Sequence, residues 1–496
     1  MKCYLGNKIK FLFFSLILIS GLCLRLSWAG LKDGMHCDEV ASFSISECEG
    51  AYFHPFVFVN PNTEMSGREI KELYFIHDSS LKGALRDVRS MWHNVYDYNH
   101  TNFYYSILRL FFVGAKSTHV SDVIFRGVLL NLLIFVLSYF VFFKLLLLYF
   151  SQRPLLLFMT LACFTFMAGG VSNTLFIRPY ELQMFVVLVL SYWLSKVFIS
   201  LANDSWQYNW RNFLITTVLL AFTLWTGYFM LVLVGAWGVF LLWEIYRKGQ
   251  FAKGLPFFFS TFVCALLLCR ILYLSYFLGF GGDQRISSKF LADGVVERVL
   301  ASLVVWAQLI GQKTLYWPVA VFVLVLLFIG RKRIAEMPKI VLPTMLFTLA
   351  VMILSPYQTN RYMVAVTPLL LLVIPVAVDC LKNRAARNTA AIFIVSLYMI
   401  MPLFECNIDY LFRKSDLLDM LANETGRIHL VQDQRWKIST LISYLEDDIV
   451  YDLSDSIEKC DLKPDDVIVY AGSQDGFSQA CQFDGEYKYH KFYKVK

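Results

Sequence analysis

Eleven long apolar runs, separated by short polar segments, constrain this chain more than any other feature. They cover roughly residues 11–29, 121–143, 154–174, 180–200, 212–226, 228–246, 255–279, 314–330, 340–355, 362–380 and 389–404. A helix rises 1.5 Å per residue, so about 20 apolar residues cross a hydrocarbon core about 30 Å thick. With 57% of residues hydrophobic and only 17% charged, the composition excludes a soluble globular class. The expected fold is an α-helical polytopic membrane protein with about eleven transmembrane helices.

Charge sets the expected orientation. Lys2, Lys8 and Lys10 precede the first run and hold the amino terminus in the cytoplasm. That run is longer than the apolar core of a secretory signal, so it reads as an uncleaved span. Lys144 with Arg153, Arg247 with Lys248 and Lys253, Arg331 to Lys339, and Lys382 to Arg387 then all lie on the cytoplasmic side, and the carboxyl terminus lies outside. These clusters explain the net charge of +7 as a topology signal, so no nucleic-acid function is read from it. Residues 103–115 are short for a crossing, and the segment 298–313 carries Arg298 and Gln308, so both read as helices at the outer interface.

Two polar parts remain. Residues 31–102 form an outer loop too long for a simple connection, and residues 405–496 form a tail. The expected organisation is therefore a transmembrane domain over 1–404, including the loop 31–102, followed by a small extracytoplasmic α/β domain over 405–496. Within the tail, Arg427 to Val431 and Asp466 to Tyr470 read as strands and Trp436 to Leu445 as a helix. The 11 cysteines show no CxxC pair. Cys37 with Cys48, and Cys460 with Cys481, are equally compatible with disulfides and with thiols.

On this topology the polar residues at the ends of the runs converge on one face. Asp38 and Glu39 follow the first span. The group Asp97 to Asn102, Arg178-Pro179-Tyr180, Thr226-Gly227-Tyr228 and Arg361-Tyr362 come out on the same side. Arginine at a membrane boundary is costly and is kept either for a partner or for snorkelling to headgroups. Tyr180, Tyr228 and Tyr362 also suit an interfacial aromatic belt. Taken together, the set has what transfer from a lipid-linked phosphosugar needs. A carboxylate takes a proton from an acceptor hydroxyl, and Arg178 and Arg361 bind the departing phosphate bidentately. His36 and His54 flank the acidic pair, which leaves a divalent metal as an open cofactor question, although their spacing fits no established ligand pattern.

Asp38-Glu39, Asp97 and His100 followed by Phe103-Tyr104-Tyr105, Arg126, Arg178-Pro179-Tyr180, Thr226-Gly227-Tyr228, and Arg361-Tyr362 before Pro368 resemble the ordered motifs of polytopic GT-C glycosyltransferases. The pattern is most similar to bacterial relatives of protein O-mannosyltransferases and of the aminoarabinose transferase, and it covers about residues 1–405. The chain differs from those relatives in having His100-Thr101-Asn102 where His-Pro-Pro is frequent, and Thr226-Gly227-Tyr228 where Thr-His-Tyr is common. The resemblance implies a bacterial inner-membrane enzyme whose base is Asp38, assisted by Glu39, and whose donor is a polyprenyl-phosphate-linked sugar. It also implies that Asp97, His100, Tyr104, Tyr105, Tyr180, Tyr228 and Tyr362 contact substrate. The acceptor is a glycan, a lipid or a protein, and some relatives use a divalent cation near the first loop. Two other classes stay open: a transporter or flippase, which needs ionisable residues within its spans, and a membrane protein that binds a lipid-linked sugar without turning it over.

Overall fold

A computed structural model describes residues 2–46, 63–75, 78–93, 100–115, 119–277, 294–331, 337–355, 358–422, 425–432, 435–471 and 481–496. In chain order the helices are α1 (Lys2–Ala29), α2 (Cys37–Ser46), α3 (Gly67–Glu72), α4 (Leu81–His93), α5 (Asn102–Phe111), α6 (Val120–Phe150), α7 (Pro154–Phe166), α8 (Ala168–Leu175) and α9 (Tyr180–Ala202). There follow α10 (Trp210–Leu224), α11 (Met230–Arg247), α12 (Phe251–Leu272), α13 (Val295–Leu309), α14 (Trp317–Ile329), α15 (Val341–Leu354), α16 (Thr367–Leu370), α17 (Val373–Asp379) and α18 (Arg384–Ile400). The strands are β1 (Thr63–Ser66), β2 (Ile428–Gln432), β3 (Val450–Ser454), β4 (Val467–Ala471), β5 (Cys481–Tyr487) and β6 (His490–Val495).

The architecture is that of a polytopic membrane protein. Among the described residues, six helices are long and apolar enough to cross a bilayer, and the count reaches eight if each of two bent pairs is one span. This is fewer than the eleven apolar runs suggest, because Trp210–Leu224, Val341–Leu354 and Thr367–Asp379 are short helices of 10–17 residues. At 1.5 Å per residue they fall short of a full hydrocarbon thickness. The bends have local causes. Between α7 and α8 the break of 44° sits at Met167, whose ψ of 120° is extended. Between residues 296–314 and α14 the break is 104°, at Tyr316 with φ 55° and just before Pro318. Helix α5 has ten residues and packs against α2 and α4, with Arg109 donating to Asp87 of α4 at 2.7 Å, both side chains fully buried.

Two groups of ion pairs tie basic segments together. Arg153 and Arg387 hold Asp379 at 2.6 and 3.5 Å, while Lys339 and Arg247 share Glu244. A six-stranded sheet, ordered β1-β3-β2-β4-β6-β5, forms the extracytoplasmic layer of the expected topology. The inner strands β3, β2 and β4 are parallel, and the outer pairs are antiparallel. Alternation gives the sheet two faces. Ile428, Leu430, Val467, Val469 and Phe492 join the main core, whereas Val431, Ile468, Tyr470, Tyr493 and Val495 form a smaller cluster on the other face.

Strands β2 and β4 lie within one residue of the segments read from the sequence. The helix expected over Trp436 to Leu445 is instead two 3-10 segments, Arg435–Thr440 and Ile442–Tyr444. The Thr440 side chain competes for the backbone there, its hydroxyl donating to the Lys437 carbonyl at 2.9 Å. Strand β1 comes from the first outer loop and pairs with β3 of the tail, Thr63 opposite Leu453, so one sheet is built from both sides of the boundary at 404/405. Cys37 and Cys460 are thiols, and Cys48 lies outside the described residues.

Candidate functional site

The acidic pair opens a helix. His36 is the N-cap of α2, and its Nδ1 accepts the Asp38 backbone N–H at 3.0 Å. Glu39 reaches back to the His36 N–H at 2.8 Å, which is half of a capping box. Two carboxylates in the first turn also suit the positive end of the helix dipole. Local chemistry thus fixes where both side chains point, and they point differently.

Glu39 is fully buried and its oxygens are committed. Oε2 takes Lys32 at 3.0 Å as well as the His36 amide, and Oε1 takes the Ile177 N–H at 2.9 Å. Burial holds Glu39 above the ordinary carboxylate range and Lys32 below the ordinary amine range, each partly offset by the other's charge. Glu39 therefore anchors the loop onto the α8–α9 connection, and Lys32 also donates to the Tyr410 carbonyl.

Asp38 is part-exposed, 28% at its side chain, and faces two arginines. Arg361, on a 3-10 turn at Asn360–Tyr362, pairs with its Oδ2 through Nη1. Arg178, at the break between α8 and α9, donates from Nη1 to the Asp38 carbonyl at 3.2 Å and to Ser42 Oγ at 3.4 Å. The Arg361 Nε is buried with no hydrogen-bond partner among the described residues.

Aromatic rings wall this centre. Tyr410 stacks on Phe176 at 3.8 Å and 8°, Phe176 stacks on Tyr180 at 5.9 Å, and Tyr180 meets Tyr362 edge-on at 6.3 Å. His100 abuts Tyr180 at 5.1 Å, and Tyr105 lies 5.8 Å under the Arg178 guanidinium. Phe412 meets the His36 edge at 5.8 Å and carries the Lys488 ammonium on its ring at 4.6 Å. Tyr410 and Phe412 have φ of 68° and 46°, left-handed conformations that bulky residues seldom adopt. Strain of this kind clusters at ligand sites.

The sequence-derived set thus divides. Asp38, Arg178, Arg361, His100, Tyr105, Tyr180 and Tyr362 come together. Tyr104 lies behind them, its hydroxyl donating to Asn131 at 3.0 Å, and Tyr228 packs on Tyr276 at 5.5 Å. Asp97 and His54 lie outside the described residues. Sequence reading missed Lys32, Tyr410, Phe412 and Lys488, of which only Lys32 carried a signal, as a basic residue on the outer side that needs a partner. It also missed Arg25 inside the first apolar run, which an intramembrane charge should have flagged. Arg25 is fully buried, donates to Thr174 at 3.0 Å and to the Thr165 carbonyl at 2.7 Å, and lies 3.6 Å from the Phe135 ring centre. Thr174 also reaches Glu181 at 3.5 Å, so the two charges share one hydroxyl.

His36, Cys37 and Asp38 bring a nitrogen, a sulfur and an oxygen within 4.8 Å of one another. This donor set does not fit a divalent cation. The Arg361 guanidinium sits on the carboxylate, burial followed by the Asp38 charge pushes the Cys37 thiol up and keeps it protonated, and His36 Nδ1 is already an acceptor. Burial lowers His36 to about 4, so its imidazole is neutral. No protein-family model matches the chain, and no curated protein matches it.

Proposed function

We propose that this chain is a membrane glycosyltransferase of GT-C type, with about eleven crossings, that moves a sugar from a polyprenyl-phosphate-linked donor to a hydroxyl acceptor at the outer face of a bacterial inner membrane. One observation carries the reading. The part-exposed Asp38 carboxylate pairs with Arg361, whose buried Nε–H has no acceptor among the described residues, and Arg178 donates to the backbone carbonyl of the same Asp38. A guanidinium with an unmet donor calls for an anion, and its neighbouring carboxylate is free to act once that anion draws the guanidinium away. The resemblance in motif order across residues 1–405 and the wall of stacked rings support a sugar phosphate as that anion.

In the reaction the acceptor oxygen bonds to the anomeric carbon while the bond from that carbon to the phosphate oxygen breaks. The acceptor proton passes to Asp38, and the electron pair leaves with the polyprenyl phosphate. Arg361 and Arg178 neutralise that charge as it develops, which is where fixed cations lower a barrier most. Glu39 and Lys32 hold the backbone that carries Asp38. Asp38→Asn keeps the size and removes the base, so turnover by the reconstituted protein is expected to fall by about 10² to 10⁴ with donor binding retained. Turnover within a few-fold of wild type removes Asp38 as the base.

A further inference from the structure

The tail sheet carries a row of polar groups that the transfer chemistry does not use. Strands β2 and β4 are parallel neighbours, yet the chain runs from β2 to β3 on one side and from β4 toward β6 and β5 on the other. Open parallel sheets bind ligands beyond the strand carboxyl ends where the order reverses in this way. Gln432 ends β2 opposite Ala471, which ends β4. The antiparallel register, Tyr470 opposite Lys491, brings His490 beside Ala471 from the far side. By alternation Gln432 and His490 share the face of Leu430, Val469 and Phe492, which packs toward the membrane domain.

Gln432 is 5% exposed and His490 is fully buried, yet among the described residues neither end of the Gln432 amide nor either nitrogen of the His490 ring has a hydrogen-bond partner. Lys437 stands beside them, donating to the Ala471 carbonyl at 2.9 Å. Burial, with the Lys437 charge, lowers His490 to about 3, so its imidazole is neutral with one donor and one acceptor. A buried polar group left without a partner is destabilising, so a molecule that meets these four atoms is strongly favoured. Its chemistry follows from the set. An anion satisfies donors only, and here at least two of the four atoms are acceptors. Adjacent hydroxyls offer both. Two residues from His490, the Lys488 ammonium lies 4.6 Å over the Phe412 ring, which meets His36 edge-on at 5.8 Å, so the hairpin that bears His490 borders the transfer centre.

We infer that the row Gln432, Ala471 and His490 binds the hydroxyls of a neutral saccharide, and, resting on the transferase reading, that this saccharide belongs to the acceptor. The test is saturation-transfer NMR on the full chain in a detergent without a sugar headgroup, with maltotriose, chitotriose and mannotriose as probes. Wild type is expected to give saturation with at least one probe. Gln432→Leu and His490→Phe should weaken it about tenfold or more while melting within a few degrees of wild type, since apolar replacements remove unmet groups. Should His490→Phe fail to fold, His490→Ala takes its place in the comparison. Absence of saturation in wild type overturns the inference, as does equal saturation in the row variants, which leaves ordered water as the row's only partner. Failure here with a catalytic loss in Asp38→Asn leaves the transferase reading standing. Saccharide binding without that loss keeps the row and removes the base.

Discussion

At the residue scale, neighbouring side chains of like chemistry take opposite roles. Asp38 and Glu39 are indistinguishable as sequence, but the helix they open turns one toward the arginines and the other into Lys32 and two backbone amides. The motif was legible because its charges sit just beyond an apolar run. Which carboxylate stays accessible was not, because that depends on the α8–α9 connection some 140 residues away, a contact no local pattern encodes. The buried imidazoles make stability depend on pH. His36 and His490 have folded values of about 4 and about 3, below the ordinary 6.5. The unfolded chain therefore takes up protons first, so this contribution is complete above about pH 6.5 and is lost as pH falls toward 3. Melting temperature of the solubilised protein is expected to drop across that window. His490→Phe should flatten the lower part of the slope, and an unchanged slope would contradict the burial argument.

Among elements, the apolar runs foretold where helices lie and failed mainly on how they end. Run 154–174 is two helices broken at Met167, and run 362–380 is a set of short turns and helices around Pro368 and Pro375. Periodicity and hydrophobicity do not report such breaks, since they arise from extended or left-handed residues that packing enforces. The same limit hid the strained aromatic strap at Tyr410 and Phe412, which the sequence presents as an ordinary linker. Close approach of α1 and α7 shows what packing demands of one position. A Cβ added at Gly21 would lie 2.2 Å from Thr165 Cγ2, and Thr165 supplies the carbonyl that holds Arg25. Gly21→Val should therefore separate these helices and unseat Arg25. The expected result is loss of the monodisperse peak in size-exclusion chromatography, with a smaller effect for Gly21→Ala; normal elution and melting of Gly21→Val would refute the contact.

At the scale of the whole molecule, ion pairs tie the basic segments together, Arg153 and Arg387 to Asp379 and Lys339 and Arg247 to Glu244, and the proposed topology puts these segments inside and the sheet outside. A cysteine introduced at the exposed positions 63, 64, 68 or 425 should accordingly react with an impermeant reagent added outside, and one at 250 or 335 should not. Reaction at 335 from outside would invert the arrangement. Tail strands β2 and β4 were readable as apolar pentamers, whereas β1, four residues of mostly polar loop, gains its identity only from its partner. That partner has a temporal meaning. Strand β1 pairs with a segment about 390 residues further along the chain, so at about 5–20 residues per second the ribosome delivers it roughly 20 to 80 s later. Throughout that interval the later apolar helices are being made while β1 waits with an open strand edge. The helices of the loop find α5 and the α8–α9 connection early, but β1 does not pair until synthesis is nearly complete, so premature termination anywhere before β3 leaves that strand without its template.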